Sequence, residues 1–226
     1  MPSSVSNKRI RKDPAARRAE IVAAASSVAL TEGLECITLR RIAEELDVRP
    51  GLISHYFPAV EDLVAEAYGD AAGSELDALL PADRAGATPT RHLARFFARA
   101  AGAGFDDISR LWLNARHLSR YRPTLRDRVA VQEAAWRDRL ETVVRDGVEQ
   151  GEFRTADPLL AAIRILVVLD GLGMLVNSAD NADDPPEVRL MPALTAEREL
   201  GLPAGTLTAA TAPNRPASKE RLCAPL

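Results

Sequence analysis

Histidine and cysteine are scarce in the 226-residue sequence, with three of the first and two of the second. Cys36 and Cys223 lie far apart and form no CxxC pair, which argues against a disulfide scaffold or a zinc ribbon. His55, His92 and His117 show no metal-ligand spacing, and no P-loop, dinucleotide fingerprint or nucleophile elbow occurs. No cofactor, no metal and no enzyme activity are therefore expected. Aromatics make up only 4% of the chain, and alternating β-branched runs with hairpin-turn signals are missing, which argues against strands. The longest apolar run, Ile163 to Val176, contains Asp170 and is shorter than the roughly 20 residues that span a bilayer. The opening MPSSVSNKRIRKDP has no apolar stretch behind its basic residues and does not read as a secretory signal. A cytoplasmic protein with no membrane partner is the expectation.

The chain has an ordinary globular balance, 46% hydrophobic and 27% charged, with a net charge of −3 that gives no hint of nucleic acid. The charge is uneven, however. Residues 1–18 hold Lys8, Arg9, Arg11, Lys12, Arg17 and Arg18 against Asp13, a local net of +5, so the remainder carries −8. A short basic arm on an acidic protein is a common footprint of phosphate contact, and it is equally the composition of a solvated tail. The helices beyond the arm decide between them.

The chain reads as helices nearly throughout, about nine in all. Residues 15–31 place Ile21, Ala25, Val28 and Ala29 on one face, and Gly33 suits the cap beyond. Thr38 has the hydroxyl of an N-cap for a short helix in which Leu39, Ile42, Ala43 and Leu46 recur at i, i+3, i+4 and i+7. After a break at Asp47-Val48-Arg49, Pro50 fits the first turn of a third helix ending near Phe57. Longer helices are expected at about 61–80, 90–103, 105–121, 124–150, 157–178 and 187–200. Beyond Gly201 four prolines and no apolar period suggest a disordered tail.

Residues 38–57, TLRRIAEELDVRPGLISHYF, carry the most information. Ile53 and Phe57 share a face of the second short helix, which leaves Arg49, Leu52, Ser54, His55 and Tyr56 off the core side. Two short helices docked by small apolar contacts make a helix-turn-helix, whose second helix can enter a major groove about 12 Å wide. An ordinary helical hairpin would share this shape, but the basic arm, the long first helix and the linking helix from Glu61 favour a DNA reader.

The run ALTEGLECITLRRIAEELDVRPGLISHYFPAVEDLVAEAY resembles the DNA-binding domain of the TetR (tetracycline repressor) family of bacterial regulators. The resemblance rests on Gly33, Thr38, Ile42, Ala43, Val48, Gly51, His55, Tyr56, Phe57 and Leu63. ISHYF, and GVEQGEFRTADP at 147–158, are similar to the branch that includes the choline-responsive betaine-synthesis repressor. Two positions depart from the family pattern: Asp47 stands where Gly is usual, and Ala59-Val60 replaces a Ser-Lys whose Lys reaches a DNA phosphate. The resemblance implies a ligand-responsive repressor that binds a pseudo-palindromic operator on double-stranded DNA as a homodimer. It places Thr38, Tyr56, Arg9 and Arg11 on phosphates. Arg40, Arg49, Leu52, Ser54 and His55 fall near base edges, with Pro50 on the same surface, whereas Arg41 reads as a solvated face.

The chain is expected to divide into a basic arm (1–14), a DNA-binding domain (15–60), an effector and dimerisation domain (61–202) and a tail (203–226). Seven of the ten aromatics fall between residues 96 and 153, the middle helices where the family keeps its small-molecule pocket. Phe96, Phe97 and Phe105 read as core. Trp112, His117, Tyr121 and Trp136 are the pocket candidates because they join a polar handle to aromatic area. A cation in an aromatic cage fits the resembled branch, yet eight arginines against four acids in residues 116–145 suit an anionic or neutral ligand equally well. The helix at 157–178 is apolar nearly all round, so it needs cover on two sides, from its own domain and from a second copy, or from one larger monomer core. A ligand-sensing scaffold that does not bind DNA is the alternative, kept open by Asp47 and Val60.

Overall fold

The computed structural model describes residues 13–102, 104–178 and 185–210. The basic arm with Arg9 and Arg11, and residues 211–226, lie outside the described residues. Among those described there are nine α-helices and no strand, as the periodicities predict: α1 (Pro14–Thr31), α2 (Leu39–Glu45), α3 (Pro50–Tyr56), α4 (Val60–Leu79), α5 (Pro89–Ala100), α6 (Gly104–Ser119), α7 (Pro123–Glu149), α8 (Pro158–Val176) and α9 (Met191–Glu199). The helices form two compact units. The first contains the chain up to Leu76 together with Asp107–Ala135, and the second Asp77–Asp106 and the chain from Trp136. Helices α4, α6 and α7 each begin in one unit and end in the other.

In the first unit, Ile21, Ala25, Val28 and Ala29 of α1 are all buried, as their spacing requires. In the same unit Leu34, Ile42, Ile53, Phe57, Leu63 and Tyr68 are each essentially without exposed surface. Burying one such side chain stabilises by about 1.5–3 kcal/mol, so this core is what holds three short or medium helices together. Asp13 caps α1, its carboxylate accepting from the Ala15 and Ala16 N–H groups at 3.1 and 3.2 Å. At the other end Gly33 stands at φ 104, a conformation open to glycine and strained for other residues.

The second unit is built on α5, α8 and α9. One face of α8 presents Ala161, Ala162, Ile165, Leu169 and Leu172 inward. The opposite face leaves Leu160, Ile163, Val167 and Met174 open, with Val167 63% and Met174 61% exposed. By length and composition alone α8 would be long enough to cross a membrane, contrary to the length estimate from its longest apolar run.

Two expectations need correction. The last helix begins at Met191 rather than near residue 187, because a proline fits only the first turn of a helix; Pro192 occupies that turn and residues 186–190 form a 3-10 turn instead. Residues 203–210, expected to be disordered, are folded back on the second unit. Leu207 is fully buried, and the buried Glu197 carboxylate accepts from the N–H groups of Gly205 (3.1 Å), Leu207 (2.7 Å) and Thr208 (3.0 Å). Burial by itself would raise the Glu197 carboxyl, but these backbone donors outweigh it and hold its pKa below the ordinary value.

Candidate nucleic-acid interface

The reading surface is assembled from capping chemistry. Thr38 accepts from the Arg41 N–H at 3.0 Å, which starts α2 and still leaves the Thr38 hydroxyl proton free to donate outward. At the far end the Asp47 N–H donates to the Glu44 carbonyl (3.2 Å) and the Val48 N–H to the Ala43 carbonyl (2.9 Å). That pair of bonds is a Schellman closure, and Asp47 adopts the left-handed φ of 49 that it requires. The departure from glycine therefore leaves the turn's shape unchanged. Pro50 occupies the first turn of α3, where its missing N–H has no partner to lose.

On α3, Ile53 points inward, and Phe57 just beyond its end is buried too. Arg49, Pro50, Ser54 and His55 are exposed, while Leu52 and Tyr56 are half-buried. The structure thus separates core and outward sets along the line the i, i+4 spacing predicts. Ser54 donates to the Gly51 carbonyl at 3.3 Å, and the His55 and Tyr56 rings meet edge to face at 5.3 Å between centroids. Gly51 has no atom within 4 Å of where a Cβ would stand.

The arginines of α2 divide. Arg40 is 84% exposed at its side chain and pairs with Glu44 at 2.8 Å, one turn along the same helix. Arg41 is held by Glu32 (2.5 Å) and Glu45 (2.7 Å), and its hydrogen bonds to these two carboxylates raise its already high pKa. On the solvated face expected of it, Arg41 forms an ion pair between α2 and the end of α1. Arg49 has no ion pair among the described residues, so its guanidinium is available to a base or phosphate.

Several side chains that position this surface carry no signal in the sequence. Asn114 of α6 accepts from the Leu34 N–H at 3.0 Å and donates to Glu35 at 2.8 Å, fixing the loop before Thr38. Arg18 of α1 bonds Glu66 of α4 and lies over the Phe57 ring at 4.6 Å from its centroid. The partners are 79, 80 and 48 residues apart, beyond the reach of any helical periodicity.

The four candidate ligand residues have separate surroundings. Trp112 donates from Nε1 to Glu75 at 2.7 Å, meets the Tyr68 ring edge-on at 5.5 Å, and has the Arg116 guanidinium 5.2 Å from its ring centroid. Trp136, in the second unit, packs on Phe96 at 5.9 Å. His117 and Tyr121 pair at 6.0 Å, and Tyr121 is 74% exposed. Arginines of residues 116–145 pair partly within that stretch, Arg116 with Glu133 and Arg145 with Glu141, and partly outside it, Arg122 with Glu61 and Arg139 with Asp77, so acids from elsewhere offset about half of the excess. Among the described residues, no group of three or more His, Cys, Asp or Glu is placed to hold a metal ion.

An all-helical chain whose first unit presents a capped helix-turn-helix defines a DNA-binding regulator class. Two family models match it. Residues 21–67 match the model for bacterial regulatory proteins of the TetR family, and residues 89–198 match the C-terminal domain of BetI-type transcriptional repressors. The chain belongs to the TetR family of transcriptional regulators, whose members are not enzymes. Solved structures share the fold. A protein from Saccharomonospora viridis, described as a transcriptional regulator and solved in complex with choline, is 23% identical, with a TM-score of 0.68 over 82% of this chain and 98% of its own. A TetR-family regulator from Rhodococcus sp. is 20% identical, with a TM-score of 0.69 over 82% and 99% of the two chains. A regulator from Pseudomonas aeruginosa is 25% identical, with a TM-score of 0.67 over 83% and 92%. No curated protein sequence matches the chain.

Proposed function

We propose that the protein is a ligand-responsive repressor of the cytoplasm that reads a pseudo-palindromic operator as a homodimer. The observation that carries this is the division of α3: Ile53 is buried in the core while Arg49, Ser54 and His55 stand exposed on its outward side. Arg40, Arg49, Leu52, Ser54 and His55 face base edges beside Pro50, and Thr38, Tyr56, Arg9 and Arg11 hold phosphates, which orient without specifying. The exposed apolar face of α8, Leu160, Ile163, Val167 and Met174, supports pairing with a second copy. A soluble chain covers such a face in a dimer, which accounts for α8 without a membrane.

The effector is a small organic cation acting on the middle helices. Trp112, Tyr68 and Glu75 bring two rings and a carboxylate together, the chemistry that suits a cation, and the structural relative from Saccharomonospora viridis was solved with choline. His117 and Tyr121 are the further candidate contacts in the same unit, and Trp136 is a separate candidate in the second. Ligand binding lowers operator affinity only as far as it favours the DNA-incompetent form.

The test is a gel shift with DNA flanking the protein's own gene, with and without choline. A shift at low salt that Arg49→Ala alters in sequence preference is expected. Absence of any shift would favour a ligand-sensing scaffold that does not bind DNA.

A further inference from the structure

Arg18 joins three helices within the first unit. Its guanidinium, on α1, donates to both carboxylate oxygens of Glu66 on α4, at 2.5 Å to Oε2. The same group lies 4.6 Å from the centroid of Phe57, the buried residue that terminates the recognition helix. Only Phe57, Pro58 and Ala59 separate the end of α3 from the start of α4. Arg18 bridges this short link, from Phe57 at its start to Glu66 within α4, and adds a directional contact to the packing that sets the angle between the two helices.

Arg18 is 46% exposed at its side chain and borders an open cleft of about 510 Å³ that Tyr56, Asp62 and Arg128 also line. An ion pair this open to water contributes little to stability. What it supplies is geometry, since a guanidinium bonded through two nitrogens to one carboxylate and stacked on a ring has few other orientations. Helix α4 starts in the first unit and runs on past Leu76 to Leu79, so it is the chain's continuation from the recognition helix into the second unit.

We propose that Arg18 is a specificity-determining positioning residue: by clamping the end of the recognition helix to α4, it fixes the half-site separation that the dimer accepts. The inference rests on the operator-reading function proposed above. It concerns the distance between half-sites and leaves base preference to the outward face of α3.

The test is selection of DNA from a random library by the full-length protein, followed by sequencing. The wild type is expected to enrich paired half-sites at one spacing. Arg18→Ala and Glu66→Gln should enrich the same half-site bases, with discrimination between spacings reduced by roughly 2- to 30-fold. Arg18→Lys, which keeps a charge for Glu66, should recover part of it. Unchanged spacing profiles in Arg18→Ala and Glu66→Gln would overturn the clamp alone. Loss of base preference together with spacing would also overturn it, by showing that the motif itself had come apart. A wild type that enriches no paired half-sites would overturn the operator reading and the clamp with it.

Discussion

The Val48 N–H donates to the Ala43 carbonyl at 2.9 Å, closing α2 over Asp47 at a positive φ of 49. A left-handed residue costs about 1–2 kcal/mol for most side chains, and less for Asp, which is enriched there. Glycine removes that strain but adds about 0.5–1 kcal/mol of unfolded-state entropy. Asp47→Gly should therefore change stability by less than about 1 kcal/mol, whereas Asp47→Val should destabilise by about 1–2 kcal/mol, because a β-branched residue resists this conformation. Urea unfolding followed by circular dichroism distinguishes the two. Equal stabilities for Gly and Val would remove the turn argument.

The nine helices were legible in the sequence because local chemistry set them. Thr38 and Asp157 cap, Pro50 and Pro158 start, and Ile42, Ala43 and Ile53 repeat at helical spacing. The outward face of α3 was legible for the same reason. Long-range pairs such as Arg18–Glu66 and Asn114–Leu34 were not, since neither partner's type or position announces the other. The fold-back of residues 203–210 was hidden by composition: one buried Leu207 and one carboxylate, Glu197, order a segment that otherwise looks like a linker. The Arg41–Glu32 pair was hidden because Glu32 lies on the preceding helix's cap, outside the i, i+4 pattern that Glu45 follows.

Arm and recognition helix should fail differently. Deleting residues 1–12 removes Lys8, Arg9, Arg11 and Lys12. Each lost phosphate contact should reduce the slope of log affinity against log salt by about 0.9, for every DNA sequence alike. Arg49→Ala should leave that slope nearly unchanged and relax preference at one base pair by about 1–3 kcal/mol. Fluorescence anisotropy titrations across a salt series read both quantities. A uniform loss with a reduced slope for Arg49→Ala would reassign Arg49 to a phosphate.

Glu197 predicts an acid-sensitive C-terminal segment. Its pKa is depressed in the folded chain, so its contribution is present above the unfolded carboxyl value, near 4.3 for a free Glu. That contribution disappears as pH falls through the lower folded value, where protonation removes the acceptor charge from three N–H groups. Hydrogen exchange at Leu207 and Thr208 should accelerate relative to other helical amides as pH falls below the free-carboxyl value and through the lower folded one. In Glu197→Gln the segment should be loosened already at neutral pH, with no further acid step. Slow exchange in that variant at pH 7 would show that Leu207 alone anchors the segment.

The exposed face of α8 sets the oligomeric state in the proposed function. Val167 and Met174 are exposed in the single chain, so a charge at either position meets no packed neighbour within it. Surface substitutions of this kind usually change monomer stability by less than about 0.5 kcal/mol. Inside a dimer interface the same charge would lie unpaired in a buried apolar patch, at a penalty of several kcal/mol. Val167→Glu and Met174→Glu should therefore yield helical monomers by light scattering, with operator affinity reduced because each half-site is then bound alone. Helicity measured in parallel separates this from unfolding. A dimer that survives both substitutions would move the interface off this face and leave its apolar residues without a partner.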